Sequence, residues 1–572
     1  MTVIATAGHV DHGKSTLVLR LTGTDPDRWD EEKTRGLTID LGFANTTLPS
    51  GAELSFIDVP GHIRFLRNML SGVGAVDGCL FVVAATEGWK PQSEEHLRIL
   101  SLLGLTRGVV ALTKIDQVDD DLYELARMDV EEHVAGTFLE DADIVGVSAP
   151  DGTGIDELRA ALDRIVATVD RSGDRGTPRL WVDRSFAPAG AGTVVTGTLT
   201  GGAMTVGDEL QVSPGGTTIR IRGLQSHHTD HQTVDAGNRV AVNVTGIGHG
   251  DIGRGDVLID DGAWHRTAML DAELTVLDSL AHPVTRRGAY AAYIGSGEFP
   301  ARLRVLGADR IEPGEVGLVR LYLNRPVPVL PGDRFILRES GRDETVGGGA
   351  VLDVEPILPA TRAAPDRSLD RVVAERGWVE ADHLARLTGA AIEPTVGRWV
   401  VDPEELARAT SAVRAAVEDA DALGLDLAGL DERQRAVLAT IEDIAVNAGR
   451  ATIGEVADPL ADHPWVAALE AEPFAPPGPD GIDRGELREL VRRGTVVEQD
   501  GVYFARAAVD QAVVALRDAL AASPGGLTVA EIRDLWATTR KFALPLLAHL
   551  DGTGVTRRRE DLRIAGPRMP AA

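Results

Sequence analysis

Short apolar runs alternate with amphipathic stretches over the first 170 residues of the chain. Val3–Ala7, Leu54–Asp58, Cys79–Ala84, Val109–Thr113 and Ile144–Ser148 read as buried strands, with helical patterns such as Ser93–Leu102 and Ile155–Val166 between them. That alternation predicts a mostly parallel, doubly wound sheet. The texture changes at Gly176-Thr-Pro178, after which short strands and Gly-rich turns run to about Leu358 and predict two β-barrels joined near Asp260–Trp264. The stretch 355–366 reads as a linker. Beyond it, short helices are followed by strand pairs: a helix over Arg484–Arg493 precedes a hairpin, Val496–Phe504, turning on Asp500-Gly501. A Thr528-x-x-Glu531 capping box opens a helix to Leu535, a helix over Lys541–Leu550 follows, and strands Val555–Arg558 and Leu562–Ile564 close the chain. Helix-turn-helix plus hairpin predicts winged-helix modules, with room for three or four. The expected order is an α/β nucleotide-binding domain (1–172), β-barrels (173–262 and 263–358) and tandem winged-helix modules (366–572).

Composition narrows the class. The chain has 572 residues, 43% hydrophobic and 25% charged, too long for a single core. No apolar run reaches the ~18–20 residues of a membrane span, and the N-terminus lacks a basic leader, so a cytoplasmic protein is expected; a monomer is the expected state. Cys79, the single cysteine, lies in an apolar run and reads as a small buried hydrophobe. The net charge of −29 argues against a protein that coats nucleic acid non-specifically, while leaving room for a local basic face.

The chemistry begins in the loop after the first strand. Gly8, His9, Val10, Asp11, His12, Gly13, Lys14 and Ser15 spell G-x-x-x-x-G-K-[ST] before a helix that starts at Thr16. Such a loop cradles phosphates with its amides, Lys14 bridges the outer phosphates and Ser15 reaches Mg²⁺. Thr113-Lys114-Ile-Asp116 ends a later strand, where the Asp116 carboxylate can accept both guanine N–H donors that adenine lacks. Ser148-Ala149 ends the next strand, where backbone N–H can meet guanine O6. Asp58 is placed to hold Mg²⁺ through water, Gly61 offers an amide near the γ-phosphate, and His62 is the candidate for orienting the attacking water. Thr38, in the polar segment before the second strand, can close on Mg²⁺ only with GTP bound, which makes that segment a switch. GTP or GDP with Mg²⁺ is the expected cofactor set.

These motifs resemble the translational GTPases of the elongation factor Tu type. The carriers are the phosphate loop, the run Asp58-Val-Pro-Gly-His-Ile-Arg-Phe-Leu-Arg-Asn-Met69, and Gln92-Ser-Glu-Glu-His96. By that likeness Val10 and Leu37 form a hydrophobic gate beside His62, which the ribosome opens. Three further stretches resemble the selenocysteine-specific branch: Glu31-Glu-Lys-Thr-Arg-Gly-Leu-Thr-Ile-Asp-Leu-Gly-Phe43, the barrel motifs around Trp181–Phe186, Gly192–Gly197 and Gly237–Asn243, and about 200 residues beyond the second barrel. The resemblance implies delivery of selenocysteinyl-tRNA to the ribosome at UGA codons marked by an mRNA stem-loop.

A selenol is far more acidic than a thiol, whose pKa is ~8.5, so a pocket selecting it over serine should offer fixed positive charge. The resemblance places Arg184 and Arg239 there, with Asp183 holding a guanidinium or the aminoacyl amine, and His227 as a weaker addition. Surface charge is the plainer reading of two strand-end arginines. From Ser523 onward there are eight Lys/Arg against five Asp/Glu, and Arg540, Lys541, Arg557, Arg558 and Arg563 fall on the last helix and wing, the part that grips mRNA in this branch. Thr113 replaces the usual Asn of Asn-Lys-x-Asp, which predicts weaker contacts around guanine. The first three domains are also compatible with a regulatory GTPase subunit of a sulfate-activating enzyme, or with an initiation-type factor.

Overall fold

A computed structural model of the chain describes residues 2–26, 40–60, 76–169, 175–227, 229–421, 423–447, 449–454 and 460–571. It falls into two compact units, one of residues 1–394 and 398–402, the other of 395–397 and 403–572.

In the first unit, six strands form one sheet: β1 (Thr2–Ala7), β2 (Gly42–Thr47), β3 (Glu53–Asp58), β4 (Gly78–Ala84), β5 (Gly108–Thr113) and β6 (Ile144–Val147). Their spatial order is β2-β3-β1-β4-β5-β6. Only the β2–β3 pair is antiparallel. β1 and β4 have no exposed residue, as central parallel strands covered on both faces require. Around the sheet lie α1 (Lys14–Thr22), α2 (Pro91–Leu102), α3 (Asp120–Val134) and α4 (Ile155–Thr168). The apolar side of α4, Ile155, Leu158, Leu162 and Ile165, packs on Ile4, Leu80 and Val109. Burying one such side chain stabilises the fold by ~1.5–3 kcal/mol.

The seven-stranded sheet that follows, Arg179–Phe186 to Val257–Ile259, closes through an extra pairing between Glu209–Ser213 and Thr217–Ser226. A second, six-stranded closed barrel spans Arg266–Val276 to Glu344–Asp353. Arg179 forks onto Asp333 across the two barrels, with distances of 2.5 and 2.9 Å. The second barrel also meets α2: Ala291, Tyr293 and Ile336 share a core with Leu97 and Leu100. The stretch that reads as a linker is packed. Glu355 bonds Arg376 and His383, and the Leu358 carbonyl accepts from the buried Arg320. Each contact is long-range in sequence, so composition could not show it.

In the second unit, helices alternate with strand pairs. The hairpin Val496–Gln499/Val502–Ala505 turns on Asp500 and Gly501, with φ of 51° and 75°, the left-handed pair that two-residue hairpins favour. Thr528 and Glu531 form the reciprocal capping box. The last helix is Arg540–Gly552, and the wing pairs Thr556–Arg559 with Leu562–Ala565.

Candidate functional site

The loop from Gly8 to Gly13 joins β1 to α1 over the ends of β4 and β5. Gly8 has φ 123°, and a Cβ there would lie 2.1 Å from the Val82 carbonyl oxygen, so only glycine fits. Two side chains of α2 brace the loop. The Gly8 amide donates to His96 Nδ1 (3.0 Å) and the Val10 amide to Gln92 Oε1 (3.1 Å). Burial pushes His96 and His12 down to about 3, so both are neutral imidazoles: His96 accepts the Gly8 N–H, and His12 turns Nδ1 toward the Val82 carbonyl (3.4 Å). Lys14, almost fully buried, donates to the carbonyls of Gly8 (3.1 Å) and His9 (2.8 Å), which holds its ammonium across the loop.

Asp58 ends β3 with no solvent exposure. Thr6 Oγ1 donates to one of its oxygens (2.6 Å) and Ser15 Oγ to the other (2.7 Å). Ser15 and Asp58 thus converge as oxygen donors, the set a hard divalent cation such as Mg²⁺ takes. Thr113 Oγ1 donates to the His12 carbonyl (2.7 Å), and the shorter hydroxyl thus ties this end of β5 to the phosphate loop. Lys114 adopts φ 60° and pairs with Glu87 (3.5 Å), and Asp116 follows in a 3₁₀ turn, Ile115–Gln117. Ser148 is buried, and its amide donates to the Thr153 carbonyl in the loop that also carries Ala149. Thr38, Gly61 and His62, together with Leu37, lie outside the described residues.

A second cluster forms where the first barrel meets β2. At a bulge in the strand Arg179–Phe186, Asp183 turns inward and Arg184 follows it. Asp183 pairs with Arg239 (2.9 Å) and accepts from Thr196 Oγ1 (2.6 Å). Its partner is therefore Arg239. Arg184 pairs instead with Asp40 (3.1 Å) and donates to the Leu41 carbonyl. Both guanidiniums face the Phe43 ring, 4.8 Å (Arg184) and 3.5 Å (Arg239) from its centroid, as cation–π pairs. Asn45 of β2 hydrogen-bonds His227, which closes the far wall. Phe43, Arg184, Thr196, Gln225, His227 and Arg239 line a cavity of about 250 Å³. Burial works against the charge of Asp40, but Arg184, the Leu41 amide and Arg254 outweigh it and hold its carboxyl below the usual range.

Phe43 was not legible as a pocket residue, nor were Asp40 and Arg254 as the charges behind Arg184. Asp40 and Phe43 sit in a stretch read as a switch, and Arg254 reaches Asp40 (3.0 Å) from 214 positions away. In the C-terminal unit Arg540, Lys541, Arg557 and Arg558 are exposed, as is Arg559 beside them. Arg563 is different: it is buried and paired with Asp551 (2.8 Å), which makes it a strut of the wing.

A phosphate loop, a paired Ser and Asp, a Lys-x-Asp turn and a following barrel define a translational GTPase. The family model "Elongation factor Tu GTP binding domain" matches residues 1–168 and "Elongation factor Tu domain 2" matches 192–259. "Selenocysteine-specific elongation factor, beta-barrel domain" matches 271–357, and "Elongation factor SelB, winged helix" matches 518–565. The chain is 31% identical over 621 residues to the selenocysteine-specific elongation factor of Escherichia coli (strain K12), covering 97% of each. It is 43% identical over 353 residues to that of Desulfomicrobium baculatum, covering 61% of this chain and 55% of that protein. The chain thus spans about half the length of the latter. A crystal structure of a bacterial selenocysteine-specific elongation factor superposes with a TM-score of 0.70 at 25% identity, covering 99% of this chain and all of that one. This chain belongs to the family of selenocysteine-specific elongation factors. No helix among the described residues is long and apolar enough to cross a membrane.

Proposed function

We infer that this GTPase carries selenocysteinyl-tRNA to the ribosome, with the aminoacyl group in the cavity between β2 and the first barrel. The observation that carries the reading is the convergence of Arg184 and Arg239 on that cavity. Two fixed guanidiniums in a partly buried site favour an anionic selenolate over the neutral hydroxyl of serine. Asp183 orients Arg239 and leaves Arg184 to the segment that enters β2.

In the nucleotide site, Lys14 holds the outer phosphates, Ser15 and Asp58 hold Mg²⁺, and Asp116 selects guanine. Thr38 and His62 take the switch and water-orienting roles that the family resemblance implies. Asp40 lies two residues beyond Thr38 and is bonded to Arg184, so γ-phosphate loss reaches the aminoacyl pocket along a short stretch of chain. The exposed Arg540, Lys541, Arg557 and Arg558 contact the phosphates of the mRNA stem-loop.

Competition binding with selenocysteinyl-, seryl- and methionyl-tRNA in the presence of GTP tests the assignment. Preference for the first supports it, and equal affinity for all three would overturn it.

A further inference from the structure

We propose that the tip of the second barrel is a transition-metal site, with His282, Glu339 and Glu344 as ligands. Glu339 ends the strand Arg334–Glu339, Glu344 begins Glu344–Asp353, and the two stand directly opposite each other across the hairpin. Like charges in that register repel and destabilise the pair unless a cation lies between them. His282, from the loop before Val284–Thr285, places Nε2 2.8 Å from a Glu344 oxygen and 3.5 Å from a Glu339 oxygen. One ligand atom from each residue lies within 4.8 Å of the others. Donors bound tetrahedrally at ~2.0–2.2 Å from an ion sit roughly 3.4 Å apart, so a small ion fits with minor adjustment.

Hydrogen bonding within the triad points the same way. Arg342, on the turn, brings Nη1 to 2.8 Å from His282 Nε2 and 2.7 Å from Glu339. If Nε2 is protonated, it meets the guanidinium donor to donor. If it is bare, with Nδ1–H directed at the Pro283 carbonyl (3.3 Å), it meets Glu344 acceptor to acceptor. Neither form satisfies both neighbours. A divalent ion in place of the guanidinium satisfies all three acceptors, and the half-exposed Arg342 side chain would give up its bonds to Glu339 and His282 for water. One imidazole with two carboxylates suits Zn²⁺ or Co²⁺ better than Mg²⁺ or Ca²⁺.

The site adjoins a contact with the nucleotide-binding domain. Arg338, next to Glu339, is buried, bonds Thr345 and Asp343, and lies 4.0 Å from Glu95 of α2. That helix braces the phosphate loop through Gln92 and His96. An ion at the tip therefore fixes the hairpin that presents Arg338 to the nucleotide domain.

Co²⁺ titration of the full-length chain, with excess Mg²⁺ and GDP filling the nucleotide site, tests the proposal through visible d–d absorption. One saturable equivalent, displaced by Zn²⁺, is expected. His282→Ala and Glu344→Gln should each weaken it at least ~10-fold, with unchanged metal-free thermal unfolding as the check on folding. Arg342→Ala should tighten it. No saturable equivalent, binding unaltered in both ligand variants, or weaker binding in Arg342→Ala would each overturn the proposal.

Discussion

Replacing Arg239 with methionine removes one of the two cations facing the aminoacyl cavity while keeping an apolar stem over Phe43. A unit charge pair at ~4 Å and an effective dielectric of ~20 is worth ~4 kcal/mol. Asp183, 2.9 Å from Arg239, already cancels part of that field. A net loss of ~1–3 kcal/mol remains, or roughly 5- to 150-fold in affinity. The single variant also strands Asp183 as a buried unpaired charge, at a stability cost of ~3–5 kcal/mol, so the informative form is Arg239→Met with Asp183→Asn. Equilibrium binding of fluorescent selenocysteinyl-tRNA under GTP, run beside seryl-tRNA, gives the readout. Affinity for selenocysteinyl-tRNA should fall by the stated factor while seryl-tRNA stays within about threefold. The selectivity of the unaltered protein should also decline as pH falls, because protonating the selenolate removes the charge the arginines read. Equal losses for both tRNAs would refute the reasoning, since they would mean the pair shapes the pocket without sensing charge.

Thr113→Val keeps the volume but strands the His12 carbonyl, which should cost ~1–3 kcal/mol and speed release of a fluorescent GDP analogue in stopped flow; an unchanged rate would remove Thr113 from the loop's support. Gly8→Ala should abolish nucleotide binding in calorimetry, because its Cβ meets the Val82 oxygen at 2.1 Å, and retained binding would show that the loop can move aside. In the C-terminal unit, buried Glu489 is held near 2 by hydrogen bonds from Arg492 and Arg493 and the charge of Arg450. Its folded pKa lies below the unfolded value of ~4.3, so its contribution is complete above about pH 5 and fades toward pH 2. Glu489→Gln should therefore destabilise the isolated 403–572 segment at pH 7 more than at pH 3 in urea melts, and equal losses at both would contradict that.

What the sequence determined is local. The phosphate loop, the Lys114-Ile-Asp116 turn, the Thr528–Glu531 cap and the Asp500-Gly501 hairpin each depend on residues a few positions apart, where backbone geometry and spacing decide the outcome. The periodicity of the first 168 residues likewise specified five strands, because buried parallel strands must be apolar on both faces. It did not mark β2, the antiparallel edge strand Gly42–Thr47, whose Asn45, Thr46 and Thr47 break an apolar run. Tertiary structure decided the pairings. The partition of Asp183 to Arg239 and of Asp40 to Arg184 depends on a bulge and on docking of β2 against a barrel some 140 residues away. The burial of Arg563 on Asp551 depends on the wing folding back over the last helix, and a charge count along the chain cannot see it. Charges find partners through space, and the chain order sets only which partners are within reach.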